Sequence, residues 1–288
     1  MDAVAKAIER YLRSGNYELD HPEWRGQNFL ERVTRGHDDL VGALVGETKR
    51  RSEGRQHPAV PDLDLTAWTR LKLTPMVSGL FPQVERDAVL SLFEKSVVFL
   101  TSANIEGVLL KQRWLRTAWH LANLYLSSVE AELLDPEARR LLGLSEETTC
   151  YVSTEYFAER SRIEDFVIHE AAHVFHNCRR RTAGLPETRT REWLLDIEFR
   201  KRETFAYGCE AYGAILEQSR DRPGRLAMAE AFAKQIEKYN SEDYERAELA
   251  SIVREACAAR NGWRVILTRC APMRVPRRAT VVARAPMR

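Results

Sequence analysis

Residues 169 to 173 read His169-Glu170-Ala171-Ala172-His173. On a helix, positions i and i+4 lie one above the other, so the two imidazoles point the same way and Glu170 reaches a water held between them. The flanks place these five residues on a helix. Glu164 and Asp165 stand where a helix N-terminus favours negative charge, Phe166, Val167 and Ile168 are bulky and apolar, and Val174 and Phe175 continue the apolar pattern. Gly184 and Pro186 mark where the helix has ended. Two imidazoles within an apolar helix are what a buried metal site needs; two incidental histidines are the plainer alternative.

A catalytic zinc usually takes three protein ligands and leaves a fourth position for water. His176 shares the helical face, but at 1.5 Å per residue it lies about 10 Å along the axis from His169, too far for one tetrahedral ion. It is expected to support the site, to end the helix, or to line the cleft. The third ligand is sought downstream, where Thr190 to Gln218 lacks Pro and is rich in Leu, Glu, Arg and Ala, predicting one long helix. Within it Glu203, Tyr207 and Glu210 fall at i, i+4 and i+7 beside Phe205, Ala206 and Cys209. A carboxylate stripe among apolar residues is costly to bury unless a positive charge compensates it.

His-Glu-x-x-His followed by a second helix carrying Glu203-x-x-Ala206, 30 residues after His173, resembles the gluzincin group of zinc metallopeptidases. The resemblance covers residues 160 to 215. It implies one zinc ion per chain held by His169, His173 and Glu203, with Glu170 as general base, and a zincin-like core with two active-site helices. Glu210 is the reserve ligand, since many gluzincins place an Asp four residues after the ligand Glu and this chain has Tyr207 there. The implied activity is cleavage of a peptide bond, with a peptide or protein as substrate. The alternative is a non-catalytic or regulatory zinc-binding protein on the same scaffold. Tyr207, Tyr212 and His176 are the candidates for a donor to the substrate oxyanion.

Other metal chemistries fit less well. A carboxylate-bridged di-iron bundle needs a second Glu-x-x-His on another helix; His37, His57 and His120 lack a Glu three residues earlier, and the Glu18–His21 spacing stands between Gly15 and Pro22, outside any helical pattern. A closed structural zinc site is usually cysteine-rich, and Cys150, Cys178, Cys209, Cys257 and Cys270 contain no Cys-x-x-Cys pair. Five scattered cysteines and no apolar leader predict reduced thiols in the cytoplasm, and no run approaches a membrane span of about 18 apolar residues.

The rest of the chain predicts a mainly α fold with a small β-sheet (α+β). Residues 1–46 read as a helical segment, 47–62 as a polar linker or long loop, 63–270 as the catalytic domain, and 271–288 as a basic disordered tail. Residues 83–95 and 106–134 show helical periodicity, and 226–260 add one or two outer helices. Thr148 to Phe157 is the best strand candidate, placed to serve as an edge strand for an extended substrate. Net charge is only +2, which excludes no class of partner. From Arg264 to Arg288 there are seven Arg and no acid, a tail read as a solvated terminus, with nucleic-acid binding as the second reading.

Overall fold

The computed structural model describes residues 3–19, 24–56, 58–157, 164–237 and 243–273. The Arg-rich stretch from 274 onward lies outside the described residues, as do His21 and His57. The architecture is mainly helical with one three-stranded sheet. No helix among the described residues is long and apolar enough to cross a membrane.

Eleven α-helices are described. In the N-terminal part, α1 (Ala3–Ser14) and α2 (Phe29–Ser52) pack with α5 (Ile105–Leu110) and α6 (Leu115–Ser128). Their cluster is built on Tyr11, Leu40, Leu44, Leu109, Trp119 and Tyr125, and Leu144 and Tyr151 of the sheet rest against it. Residues 105–128 thus share their core with the N-terminal helices. The stretch 106–134, which shows helical periodicity, forms two helices separated at Lys111–Trp114. The polar run from Glu47 does not open a linker at once, because α2 continues to Ser52, where Glu47 pairs with Arg50 and Arg51 one turn on.

The second cluster surrounds the motif helix α7 (Phe166–Asn177). Asp165 caps α7 by accepting from the Ile168 amide at 3.2 Å, which satisfies one of the donors a helix N-terminus leaves open. Val167, Ala171, Val174 and Phe175 form its buried face. Phe175 meets the hairpin of α3 (Leu65–Leu80) and α4 (Gln83–Phe93) through edge contacts with Phe81 and Phe93. On another side, α8 (Arg202–Gln218) packs on α7 and is backed by α9 (Arg222–Ile236), α10 (Arg246–Ala258) and α11 (Gly262–Cys270). Gly213 is what lets α8 come so close: a Cβ there would collide with Cδ1 of Ile168.

Two sequence readings are corrected here. The segment before α8 is not helical from Thr190: α8 begins only at Arg202. Residues 190–198 fold back along the end of α7, with the Leu194 amide on the Cys178 carbonyl (3.0 Å) and the Leu195 amide on that of Phe175 (2.9 Å). Burial of Leu194, Leu195 and Ile197 in that extended path outweighs a modest helical propensity. The second concerns the sheet, whose order is β1 (Val97–Phe99), β3 (Thr149–Val152), β2 (Gly143–Glu146). The expected strand is β3, but it is central, parallel to β1 and antiparallel to β2. The edge beside α7 is β2, whose Gly-Leu-Ser-Glu carries none of the β-branched or aromatic residues that mark a strand.

Candidate metal centre

The two motif histidines lie on the face of α7 that looks toward α8, and their Nε2 atoms stand 3.1 Å apart. Oε2 of Glu203, in the first turn of α8, lies 3.8 Å from Nε2 of His169 and 3.5 Å from that of His173. One ligand atom from each of these three residues falls within 4.8 Å of the others, and no other such group of His, Cys, Asp and Glu occurs among the described residues. A tetrahedral ion with bonds of 2.0–2.1 Å spaces its ligands by about 3.3 Å. The separations fit with small adjustments.

The hydrogen bonds behind the imidazoles decide which nitrogens face the centre. Nδ1 of His169 donates to Oε2 of Glu210 at 2.8 Å, leaving Nε2 as its lone-pair atom. His176 is fixed by Asn177, whose Oδ1 lies 3.1 Å from Nδ1 of His176, so its Nε2 accepts from Nδ1 of His173 at 3.0 Å. Burial, aided by His173 and Arg202, lowers the His176 pKa to about 3, which keeps it an acceptor. The two Nε2 atoms then face one another across 3.1 Å, an arrangement stabilised by a cation between them, whether a metal ion or a proton. Burial acts to lower His169, but the Glu210, Glu170 and Glu203 carboxylates outweigh it and raise its pKa to about 9, so a metal ion competes with a proton for its Nε2.

The Glu203 and Glu210 roles separate on geometry. Glu203 reaches the Nε2 side of both rings, whereas Glu210 is buried behind His169, its Oε1 accepting from the Asp165 amide at 3.0 Å. Glu210 therefore holds the His169 ring from behind. Tyr207 instead lays its ring against His169, with centroids 4.6 Å apart. Burial acts to raise Glu203, and His173 with His169 reverses the sign, holding its carboxyl below the usual value.

Glu170 points from the same helix toward β2. A Cβ on Gly143 would stand 2.7 Å from Oε1 of Glu170, so the strand can run past this carboxylate only where a glycine stands. Burial raises the Glu170 pKa, opposed by His169, His173 and the Ser145 hydroxyl. That is the direction a general base working near neutrality requires.

These groups open on a cavity of about 360 Å³ lined by Glu170, both histidines, Glu203 and Tyr207, with Leu142 and Gly143 on the strand side. Arg139 spans its rim to Asp243 at 2.7 Å, and Arg140 bonds Glu155 at 2.6 Å. Of the three expected oxyanion donors, only Tyr207 lines the cavity. The Tyr212 hydroxyl accepts from the Gly262 amide at 3.2 Å, and His176 sits behind His173. Sequence reasoning did not reach Gly143, Ser145 or Arg139, and nothing in the local pattern points to them. The five cysteines are free and buried.

No family model, no curated protein and no solved structure matches this chain.

Proposed function

We propose that this protein is a zinc-dependent metallopeptidase of the gluzincin kind, using His169, His173 and Glu203 as ligands and Glu170 as general base. The observation that carries the reading is the pair of outward-anchored imidazoles whose lone pairs converge beside Glu203, with a buried carboxylate one residue from the first ligand and an open cavity in front. A scaffold kept only for binding has no use for Glu170 at that place.

A zinc ion held by His169, His173 and Glu203 would lower the pKa of a bound water and polarise the substrate carbonyl. Glu170 takes the proton from the attacking water and returns it to the leaving amine, so the carboxylate ends as it began. Ser145 and Gly143 keep that carboxylate aimed at the cavity. Tyr207 donates its hydroxyl hydrogen to the carbonyl oxygen as negative charge develops; burial and Glu210 raise its pKa, which keeps the proton on. An extended substrate lies along the outer edge of β2, whose other edge is taken by β3.

The test is elemental analysis of purified wild type and Glu170→Gln, followed by peptide hydrolysis. About one zinc per chain in both, with turnover lost only in the variant, is the expected result. Metal-free protein that takes up no zinc at neutral pH, or a variant with normal turnover, overturns the reading.

A further inference from the structure

Behind the site lies a buried ammonium that the chemistry above does not use. Lys72, on α3, has a side chain only 6% exposed, and its Nζ bridges Asp165 and Glu217. Burying a cation this deeply costs several kcal/mol unless partners compensate, and here the compensation is specific. Asp165 uses Oδ2 for Lys72 and Oδ1 for the Ile168 amide at 3.2 Å, so its carboxylate is held at both oxygens. Its own amide donates to Oε1 of Glu210 at 3.0 Å, and Oε2 of Glu210 holds Nδ1 of His169 at 2.8 Å.

We infer that Lys72 is a positioning residue for the metal ligand His169, acting through Asp165 and Glu210 across three elements. The inference rests on the metal centre proposed above. The physical route is a chain of hydrogen bonds in which Lys72 alone holds Oδ2 of Asp165, while Oδ1 accepts from the Ile168 amide at 3.2 Å and lies 3.4 Å from the Tyr156 hydroxyl. Lys72 fixes where the Asp165 carboxylate sits, and so where residue 165 places its amide. That amide occupies one oxygen of Glu210 and leaves the other for His169, so the position of the carboxylate sets the tilt of the ring whose Nε2 faces Glu203. Glu210 thus satisfies two donors, one with each oxygen. A helix cap alone would need only Asp165 and Ile168; the buried ammonium adds a second hold on the same carboxylate, at its other oxygen.

Substitutions that disturb the partners of a ligating histidine usually weaken metal affinity about 10–100-fold. The experiment is cobalt(II) titration of the full chain, reading affinity and the ligand-field absorption of the bound ion. Lys72→Met is expected to weaken cobalt about 10-fold and to shift the absorption, and Lys72→Arg to stay within about threefold of wild type. Asp165→Asn, which keeps a capping oxygen, is expected to weaken cobalt to a similar degree. Because both changes break one chain, the double variant should be no weaker than either single.

Affinities of Lys72→Met and Asp165→Asn within twofold of wild type, with unchanged spectra, overturn the inference, as do losses that multiply in the double variant. If Lys72→Met does not fold, Asp165→Asn carries the same decision alone. Wild type that binds no cobalt overturns the metal centre itself and this inference with it, a result distinct from wild-type binding that the variants leave unaltered.

Discussion

The two ends of α7 are each clamped by a buried ion pair, but the pairs are wired differently. At the N-terminus, Asp165 meets Lys72 of α3; just past the C-terminus, Arg180 meets Glu85 of α4 at 2.8 Å. Each end presents the charge that its helix dipole favours, an acid at the start and a cation after the end. The first clamp continues through Glu210 to His169. The second continues only to the Pro186 carbonyl and to Arg191, which hold the segment leaving α7. One helix thus carries a clamp connected to the candidate chemistry and one connected only to the fold, and variants should separate them.

The largest expected effect falls on the second clamp. Arg180 is among the largest fully buried side chains, and Glu85→Gln would strip it of its main counter-charge. Breaking a buried pair by removing one partner costs about 3–5 kcal/mol; the amide still accepts a hydrogen bond, so the lower figure applies. Chemical denaturation should show that loss while zinc affinity of the folded variant stays within about twofold of wild type, consistent with sites that share no partner. A parallel fall in zinc affinity would show that the clamps are not independent.

Glu210→Ala breaks the first clamp where it touches the ligand. It removes the acceptor of both His169 Nδ1 and the Asp165 amide, leaving two buried donors open. Zinc affinity should fall about 100-fold, the upper end for loss of a partner to a ligating histidine. His176→Ala should cost less, about 10-fold, since it leaves one donor, Nδ1 of His173, without its partner where Glu210→Ala leaves two. Competition with a chromophoric chelator ranks the two; the reverse order would assign the dominant anchor to the local bond.

How much of this was legible in the sequence follows from the same contrast. The proposed ligand pair and base were readable because helical spacing is local, and α7 spans Phe166–Asn177 much as its flanks imply. Glu203 was readable through its spacing to His173, although the helix it opens is shorter than the composition suggested. The partners of the ligands were less so. His176 was seen on the right face with its role undecided, and Glu210 was seen as a ligand in reserve. Lys72 and Glu85 carry no local signal, since Glu85 is 95 residues from Arg180 in sequence and residues 83–95 read only as a helical stretch. Strand β2 was missed because its residues are chosen for Glu170, which needs Gly143, rather than for strand propensity. The same reasoning explains the fold-back at 190–198, where burial of three apolar side chains decided the backbone.

A change at Gly143 tests that explanation directly. Gly143→Ala puts a methyl group within 2.7 Å of the Glu170 carboxyl on a β strand whose φ is open to any residue, so the strain falls on Glu170 and not on the backbone. Turnover should drop about 10-fold, in line with displacement of a positioned proton carrier, while zinc content is kept. Equal loss of turnover and zinc would place the methyl group against the ligands instead.

The smallest expected effect is a pH dependence that distinguishes the clamps without any variant of the site. Burial alone would raise Glu85, but its bonds and charge contacts with Arg180 and Arg191 outweigh burial and lower its pKa in the folded state. A folded-state pKa below the unfolded value stabilises the fold above the unfolded carboxylate pKa of about 4.3, and that stabilisation is lost as pH falls through the folded value. The difference in melting temperature between wild type and Glu85→Gln should therefore be constant from pH 7 to about pH 5 and shrink below about pH 4. Measuring it with a chelator present removes the proton-linked release of metal, which belongs to the other end of the helix. A difference that was small and flat across the whole range would mean that Arg180 is held by its backbone partners alone, and the second clamp would then be a hydrogen-bonded turn with an incidental acid beside it.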